Sequence, residues 1–209
     1  GIAGHLLSAS VMSAPAALAI AKIIYPEVEV ENIESNIKLS NTMQSSNIIE
    51  ALGSGASDGL KLAVNVGAIL IAFISIIALI NYLLSFLGTS SEIILGYLFQ
   101  PLAWSMGIPL EDSASIGSLL GKKIIFTELI AFGDLKEMID GNAISNRSAI
   151  IASYALCGFA NFGSIGIQLG GIGGIAPERK KDISELVFKA MIGGAIASFI
   201  TASIAGILI

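Results

Sequence analysis

Residues 148–177 read SAIIASYALCGFANFGSIGIQLGGIGGIAP and contain no charged side chain. About 20 predominantly apolar residues cross the hydrocarbon core of a bilayer as a helix, so this stretch is long enough to span a membrane. It is also rich in glycine, at positions 158, 163, 166, 170, 171, 173 and 174. Glycine is a poor helix former because it loses the most backbone freedom on folding. The stretch therefore predicts a transmembrane helix that is either broken or packed very closely against its neighbours.

Two polar side chains, Asn161 and Ser164, lie in the middle of this stretch, close to Gly158 and Gly163. Unwound backbone is tolerated inside a membrane only where it lines a cavity or is buried in protein. Transporters commonly place binding sites at such breaks. Small residues and Asn also hold membrane helices together through packing and hydrogen bonds. The residues alone favour neither interpretation, a binding site at a break or a helix–helix contact.

The composition of the whole chain also indicates a membrane environment. The 209 residues are 54% hydrophobic and 13% charged, and their mean hydropathy is +0.83. Soluble domains average about 25% charged residues, so this chain has too little polar surface to cover a globule in water. Further runs, 62–88 and 190–209, are uncharged, and residues 2–24 are interrupted only by His5 and Lys22. These runs predict an all-α integral membrane protein, and the formal net charge of −5 argues against nucleic acid as a partner.

The order of apolar, polar and proline-containing segments divides the chain into successive parts. They are a transmembrane helix (1–27), a polar loop with a short interfacial helix (28–59), a long transmembrane helix (60–88), an interfacial helix (91–108), a re-entrant helical hairpin (111–140), the broken transmembrane helix (148–177) and a C-terminal transmembrane helix (180–209). Residues 91–108 are predicted to be interfacial because Pro101 and Pro109 disfavour a continuous span and Trp104 suits the membrane surface. The two halves of 111–140 are each too short to span, which favours a hairpin with its tip near residues 126–128.

Glu128 is the most informative ionisable residue, because it lies at the predicted hairpin tip in the sequence IIFTELIAF (124–132). A charged side chain at membrane depth costs about 2.5–3.5 kcal/mol on insertion scales and usually marks a functional site. The alternative is that Glu128 lies in a loop at the membrane surface and is simply solvated.

Other motifs indicate chemistry more weakly. The sequence GSIG (163–166) resembles the surroundings of a nucleophilic serine, so Ser164 raises the alternative of an intramembrane hydrolase. The single histidine, His5, lies near the chain start without an obvious charge partner, which counts against a hydrolase. No His, Cys and carboxylate residues follow the spacing of a metal site, so no metal site is expected.

Several motifs together resemble the concentrative nucleoside transporter family. They are SAPAAL (13–18), AK (21–22) and PE (26–27), then TELIAF (127–132), ALCGFAN (155–161), SIGI (164–167), GG (170–171) and APERK (176–180). In TELIAF the family usually has Asn where this chain has Thr127. The likeness runs along the whole chain in matching order, which makes it specific.

The resemblance implies a fold, an activity and a site. The family combines a scaffold domain, to which residues 60–88 would belong, with a mobile transport domain, and assembles as a homotrimer in the lipid of a plasma membrane or bacterial inner membrane. It is not an enzyme family: it imports nucleosides together with a cation, more often sodium than a proton. Matching of the motifs implies that Glu128, Asn161 and Ser164 hold the ribose. Phe159 would line the base side, and Thr127 would lie at the hairpin tip beside the substrate.

The family's first hairpin, with its Gly-Gln-Thr-Glu motif, and its sodium ligands do not occur in these 209 residues. We therefore expect no cofactor within this chain, expect the site of the coupling ion upstream of Gly1, and expect residues 1–209 alone not to transport. The alternatives from other classes are the intramembrane hydrolase and a non-catalytic membrane assembly subunit.

Overall fold

The structure is a computed structural model that describes residues 2–26, 28 and 47–209, and every regular element in those ranges is helical. The helices are α1 (Ile2–Ile24), α2 (Ile48–Ser85), α3 (Ser91–Ser105), α4 (Leu110–Ile125), α5 (Glu128–Asp140), α6 (Asn146–Leu156), α7 (Phe162–Ile175), a short 3-10 turn (Pro177–Arg179) and α8 (Lys180–Leu208). The all-α class predicted from the sequence is confirmed for this part of the chain. The predicted polar loop that follows residue 28 lies almost entirely outside the described residues.

Two of the described helices are long and apolar enough to cross a bilayer, by length and composition. They are α1, with 23 residues, and α8, with 29 residues, and they pack against each other. At about 1.5 Å per residue, both exceed the roughly 30 Å thickness of a hydrocarbon core. They fall within the spans predicted at 1–27 and 180–209.

α2 is a single helix of 38 residues, whereas the sequence predicts an interfacial helix followed by a separate span from residue 60. The predicted boundary is wrong because nothing in the sequence interrupts the helix there. α2 contains no proline, and each of the glycines at 53, 55 and 59 costs only about 1 kcal/mol relative to alanine. The helix begins with a side-chain cap, since Asn47 Oδ1 accepts a hydrogen bond from the backbone N–H of Glu50 at 2.8 Å.

α3 packs along α4, and the contact depends on glycine. A Cβ at Gly117 would lie 2.4 Å from the carbonyl oxygen of Gly96, and a Cβ at Gly121 would lie 2.4 Å from the Cβ of Leu95. Close-packed atoms do not approach to such distances, so only glycine permits this crossing. α3, predicted as an interfacial helix, is therefore fixed to the first arm of the hairpin, while Trp104 leaves 63% of its surface exposed.

α4 and α5 are the two arms of the predicted hairpin, with residues 126 and 127 between them. Apolar side chains from both arms are fully buried in the core that the hairpin shares with α6; they are Ile116, Leu119, Leu120, Ala131 and Leu135. Lys122 of α4 also forms an ion pair with Asp134 of α5. The hairpin is thus closed on itself and packed against the broken helix.

The glycine-rich stretch forms two helices rather than one. α6 ends at Leu156, α7 begins at Phe162, and the five residues 157–161 between them are not helical. α8 contacts both halves. The predicted break is confirmed, and it lies beside α8 and the hairpin.

Candidate functional site

The break begins with a backbone conformation that suits glycine alone. Gly158 has a φ of +146°, in a region that residues with a side chain rarely occupy. A Cβ at this position would also lie 2.4 Å from the hydroxyl Oγ of Ser198 on α8. Glycine is therefore needed at 158 both for the backbone turn and for the close approach of α8.

Side chains satisfy backbone carbonyl groups at the end of α6. The last carbonyls of a helix lack their usual N–H partners, and inside a membrane each needs another donor. The carbonyl oxygen of Ala155 accepts a hydrogen bond from Lys123 Nζ at 2.7 Å, and that of Cys157 accepts one from Ser198 Oγ at 3.0 Å. Lys123 is fully buried, so its ammonium group lies inside the protein at the end of α6.

On the other side of the break, Asn161 and Ser164 organise the first turn of α7. Asn161 Oδ1 accepts a hydrogen bond from the backbone N–H of Ser164 at 2.7 Å, and Ser164 Oγ accepts one from the backbone N–H of Asn161 at 3.3 Å. This reciprocal capping box satisfies two backbone donors at a helix start that lies inside the protein. Both side chains are fully buried. Their bonds lie at the break itself, which favours the break interpretation over a simple helix–helix contact.

Glu128, the first residue of α5, faces the break. Its Oε2 accepts a hydrogen bond from Asn161 Nδ2 at 2.9 Å. Because Asn161 Oδ1 is already bonded to Ser164, the Asn161 amide turns its nitrogen toward Glu128. The carboxylate is half-buried and paired with the broken helix, so the alternative of a freely solvated surface residue does not describe it.

The five residues predicted for the site do not all come together. Glu128, Asn161 and Ser164 form one connected network. Thr127 precedes Glu128 as the N-cap of α5, without a side-chain capping bond. Phe159 is 51% exposed and lines a separate cavity of about 260 Å³ between α1, α7 and α8, and Glu128 does not line that cavity.

Two further residues at the break, Lys123 and Ser198, escaped the sequence analysis. A signal for Lys123 was available, because a charge shortly before Glu128 in the hairpin sequence LLGKKIIFTE carries the same cost at membrane depth. Ser198 offers no such signal, since small hydroxyl residues are common in packed membrane helices.

The site gives no support to the hydrolase alternative. Ser164 Oγ donates its proton to the carbonyl oxygen of Asn161 at 2.6 Å. The hydroxyl is therefore bonded within the first turn of α7 and not to a general base. His5 lies on α1, where its Nδ1 is 3.3 Å from the hydroxyl of Tyr154. Within residues 2–26, 28 and 47–209, no group of three or more His, Cys, Asp or Glu side chains is placed to hold a metal ion.

The network can accept a polar ligand. Among the described residues, Asn161 supplies the hydrogen bond that the Glu128 carboxylate accepts, and a carboxylate has about four acceptor positions. The Asn161 amide nitrogen carries a second N–H besides the one directed at Glu128. Hydrogen bonds to an ionised acceptor are roughly twice as strong as those between neutral groups. The arrangement is therefore suited to a ligand that presents neighbouring hydroxyl groups.

Comparisons with known proteins agree with one another. The family model described as "Na+ dependent nucleoside transporter C-terminus" matches residues 5–206. The chain is 44% identical to solute carrier family 28 member 3 of Mus musculus, across 98% of this chain and 32% of that protein. It is 41% identical to the uncharacterized transporter YutK of Bacillus subtilis (strain 168), across 98% of this chain and 52% of that protein.

Solved structures give the same result. The structure of CNTnw in an inward-facing substrate-bound state matches with a TM-score of 0.80 and 38% identity, across 97% of this chain and 50% of that chain. The chain thus spans about half, or less, of the length of the relatives it matches.

Proposed function

The chain belongs to the Na⁺-dependent nucleoside transporter family of integral membrane proteins, and on that premise we propose that it forms the nucleoside-binding part of a concentrative transporter. The transporter would import nucleosides by coupling their movement to a cation, with sodium favoured over a proton. Two findings support this proposal: the family description names Na⁺, and CNTnw, a structural relative, was solved in a substrate-bound state.

The hydrogen bond between Glu128 and Asn161 at the break carries this proposal. A carboxylate and a buried amide meet where a ligand with hydroxyl groups can bond to both. Glu128 would accept from the ribose hydroxyls, Asn161 would donate its second N–H, and Ser164 would hold Asn161 in place. Thr127 would flank the sugar at the hairpin tip. Phe159 lines a different cavity in this structure, so it would have to turn toward Glu128 to offer its aromatic face to the base.

The proposal also covers the site of the coupling ion and the assembly of subunits. We propose that the coupling ion binds upstream of Gly1, since the matching family model describes the C-terminus of such transporters, and that residues 1–209 alone do not transport. We also propose a homotrimer with α2 on the scaffold. α2 exposes large apolar side chains, such as Leu79 at 58% and Tyr82 at 63%, that need lipid or another protomer to cover them.

The test of the binding site is Glu128→Gln in the full-length transporter. Glutamine keeps the shape of the side chain but replaces a charged acceptor with a weaker one. Hydrogen bonds to charged groups contribute about 1.5–3 kcal/mol, so the affinity for a ribonucleoside should fall about tenfold or more. A competition series with uridine, deoxyuridine and dideoxyuridine measures this loss, and the preference for uridine over dideoxyuridine should flatten.

The matched control is Glu137→Gln, which removes an exposed carboxylate from the same helix. It should leave all three affinities as they are in the wild type. If Glu128→Gln shows the same affinity ratios among the three nucleosides as the wild type, Glu128 does not bind the sugar. If the wild type binds none of them, the proposed function itself is wrong.

A further inference from the structure

Lys123 is an unusual side chain for the interior of a membrane protein, because it is charged and has no exposed surface. Its ammonium group donates to the carbonyl oxygen of Ala155 at 2.7 Å and lies 5.6 Å from the ring centre of Phe199. Burying an ammonium is expensive, so such a group is kept where its charge meets a specific partner. The partner here is the end of a helix that stops inside the protein.

The charges of the hairpin match the two helix ends at the break. The C-terminal end of α6 carries the partial negative charge of its free carbonyl groups, and the N-terminal end of α7 carries a partial positive charge. Lys123, on the first arm, meets the end of α6, and Glu128, on the second arm, meets Asn161 at the start of α7. The hairpin thus contacts both sides of the break. In each contact the charge of its side chain is opposite to the partial charge of the helix end.

The neighbouring lysine shows that this contact is specific to position 123. Lys122 is half-buried and pairs with Asp134 on the other arm, so it ties the hairpin to itself. Lys123 instead ties the hairpin to the broken helix. A Cβ added at Gly158 would lie 3.7 Å from Lys123 Nζ, which places the ammonium directly beside the turn that opens the break.

We propose that Lys123 is a positioning residue of the nucleoside site: by capping the end of α6 it holds the break at the spacing that lets Asn161 meet Glu128. Its effect on nucleoside binding rests on the proposed function, and its effect on the break does not. Without the ammonium, the carbonyl of Ala155 loses its donor, residues 157–161 shift, and the ribose-binding pair loses its alignment.

The experiment compares Lys123→Met, Lys123→Gln and the control Lys136→Gln, which changes an exposed lysine on the second arm of the hairpin, in the full-length protein. Met is unbranched like Lys and one atom shorter, and it removes both charge and donor, whereas Gln keeps an N–H donor for the carbonyl. The first readout is amide hydrogen exchange of the peptide that covers residues 157–164, measured without nucleoside. The second is the affinity ratio between uridine and dideoxyuridine, which reports the contact with Glu128.

We expect Lys123→Met to speed amide exchange across residues 157–164, because a charge-assisted hydrogen bond is lost. The affinity for uridine should fall about tenfold, and the ratio of uridine to dideoxyuridine affinity should move toward one. Lys123→Gln should fall between Lys123→Met and the wild type, and Lys136→Gln should match the wild type in both readouts. Unchanged exchange together with an unchanged ratio overturns the proposal. Faster exchange with an unchanged ratio overturns it as well, because Lys123 would then stabilise the fold without positioning the site.

The two readouts also separate this proposal from the proposed function. If the wild type binds no nucleoside, the proposed function fails, and the exchange measurement alone decides whether Lys123 holds the break. If Lys123→Met does not fold, Lys123→Gln decides by the same two readouts, since it retains a donor for Ala155.

Discussion

α2 and the unit formed by the hairpin and the broken helix distribute polarity in opposite ways. On α2, Ile71 and Leu79 expose 69% and 58% of their surfaces, whereas Lys123 and Asn161 at the break expose none. In a soluble protein the charged and amide groups would face water and the aliphatic ones would be buried. The inverted pattern fits a chain whose outer surface meets lipid and whose polar groups are kept inside the protein.

This difference teaches which substitutions the protein can tolerate. Each polar group at the break bonds to another, and in a low-dielectric interior a partner that is left unpaired is costly. Ile71 and Leu79, two exposed aliphatic side chains of α2, carry no polar group that needs such a partner. Changes at the break should therefore be severe, and changes on the exposed side of α2 should be mild.

The largest effect is expected for Gly158→Ala. The new Cβ would lie 2.4 Å from Ser198 Oγ, at a φ of +146°, and strained backbone alone costs of order 1–3 kcal/mol. We expect the free energy of unfolding to fall by at least about 2 kcal/mol and nucleoside binding to be lost. Thermal unfolding and binding of the purified full-length protein measure both. The control is Gly59→Ala in α2, where an added Cβ meets nothing within 4 Å, and equal unfolding temperatures for the two variants would contradict the contrast between the regions.

A smaller effect is expected for Asn161→Asp. Aspartate caps a helix about as well as asparagine, so any loss of stability should come from charge repulsion and not from loss of the cap. The new carboxylate, however, faces Glu128 across a contact that is now 2.9 Å, and like charges at this distance repel. Nucleoside affinity should fall about tenfold at neutral pH. It should partly recover as the pH is lowered, because a protonated carboxyl at position 161 can donate to Glu128.

Asn161→Ala separates the two roles of this side chain, since it removes both the cap and the bond to Glu128. Loss of an N-cap typically costs about 1 kcal/mol, so this variant should lose stability as well as affinity. An affinity of Asn161→Asp that equals the wild type at every pH would mean that the Glu128–Asn161 bond does not shape the site.

The smallest effect is expected on the exposed side of α2. Ile71→Ala and Leu79→Ala should each change nucleoside affinity by less than about twofold, because surface substitutions away from special contacts usually alter free energies by less than 0.5 kcal/mol. Ile77, which is buried, provides the contrast within the same helix. Ile77→Ala should lower the free energy of unfolding by about 2 kcal/mol or more. A tenfold loss of affinity in either surface variant would show that α2 belongs to the binding unit.

Much of the unit formed by the hairpin and the broken helix could be predicted because its signals are local. The hairpin follows from helices too short to span a bilayer, and the break follows from glycines beside Asn161. Glu128 stands out because a charge at membrane depth is rare. Each of these inferences needs only residues that are close together in the sequence.

The remaining features depend on packing between distant segments. The donor for the Ala155 carbonyl comes from Lys123 on another helix, and no local pattern pairs the two. The cavity that Phe159 lines includes residues of α1 and α8, which lie far from Phe159 in the sequence. The error at the start of α2 is different in kind. The predicted boundary followed the change from a polar to an apolar sequence near residue 60, and such a change does not end a helix.

Because α3 is fixed to α4, the exposed Trp104 on α3 can serve as an intrinsic fluorescence probe of the hairpin. Trp104, the single tryptophan of these 209 residues, lies on α3, which cannot slide along α4 without a collision at Gly96 and Gly117. The indole of Trp104 must therefore move as a rigid body with α4, the first arm of the hairpin. Emission wavelength and quenching by lipids labelled at known depths would then report displacement of that arm, with no dye attached to the protein.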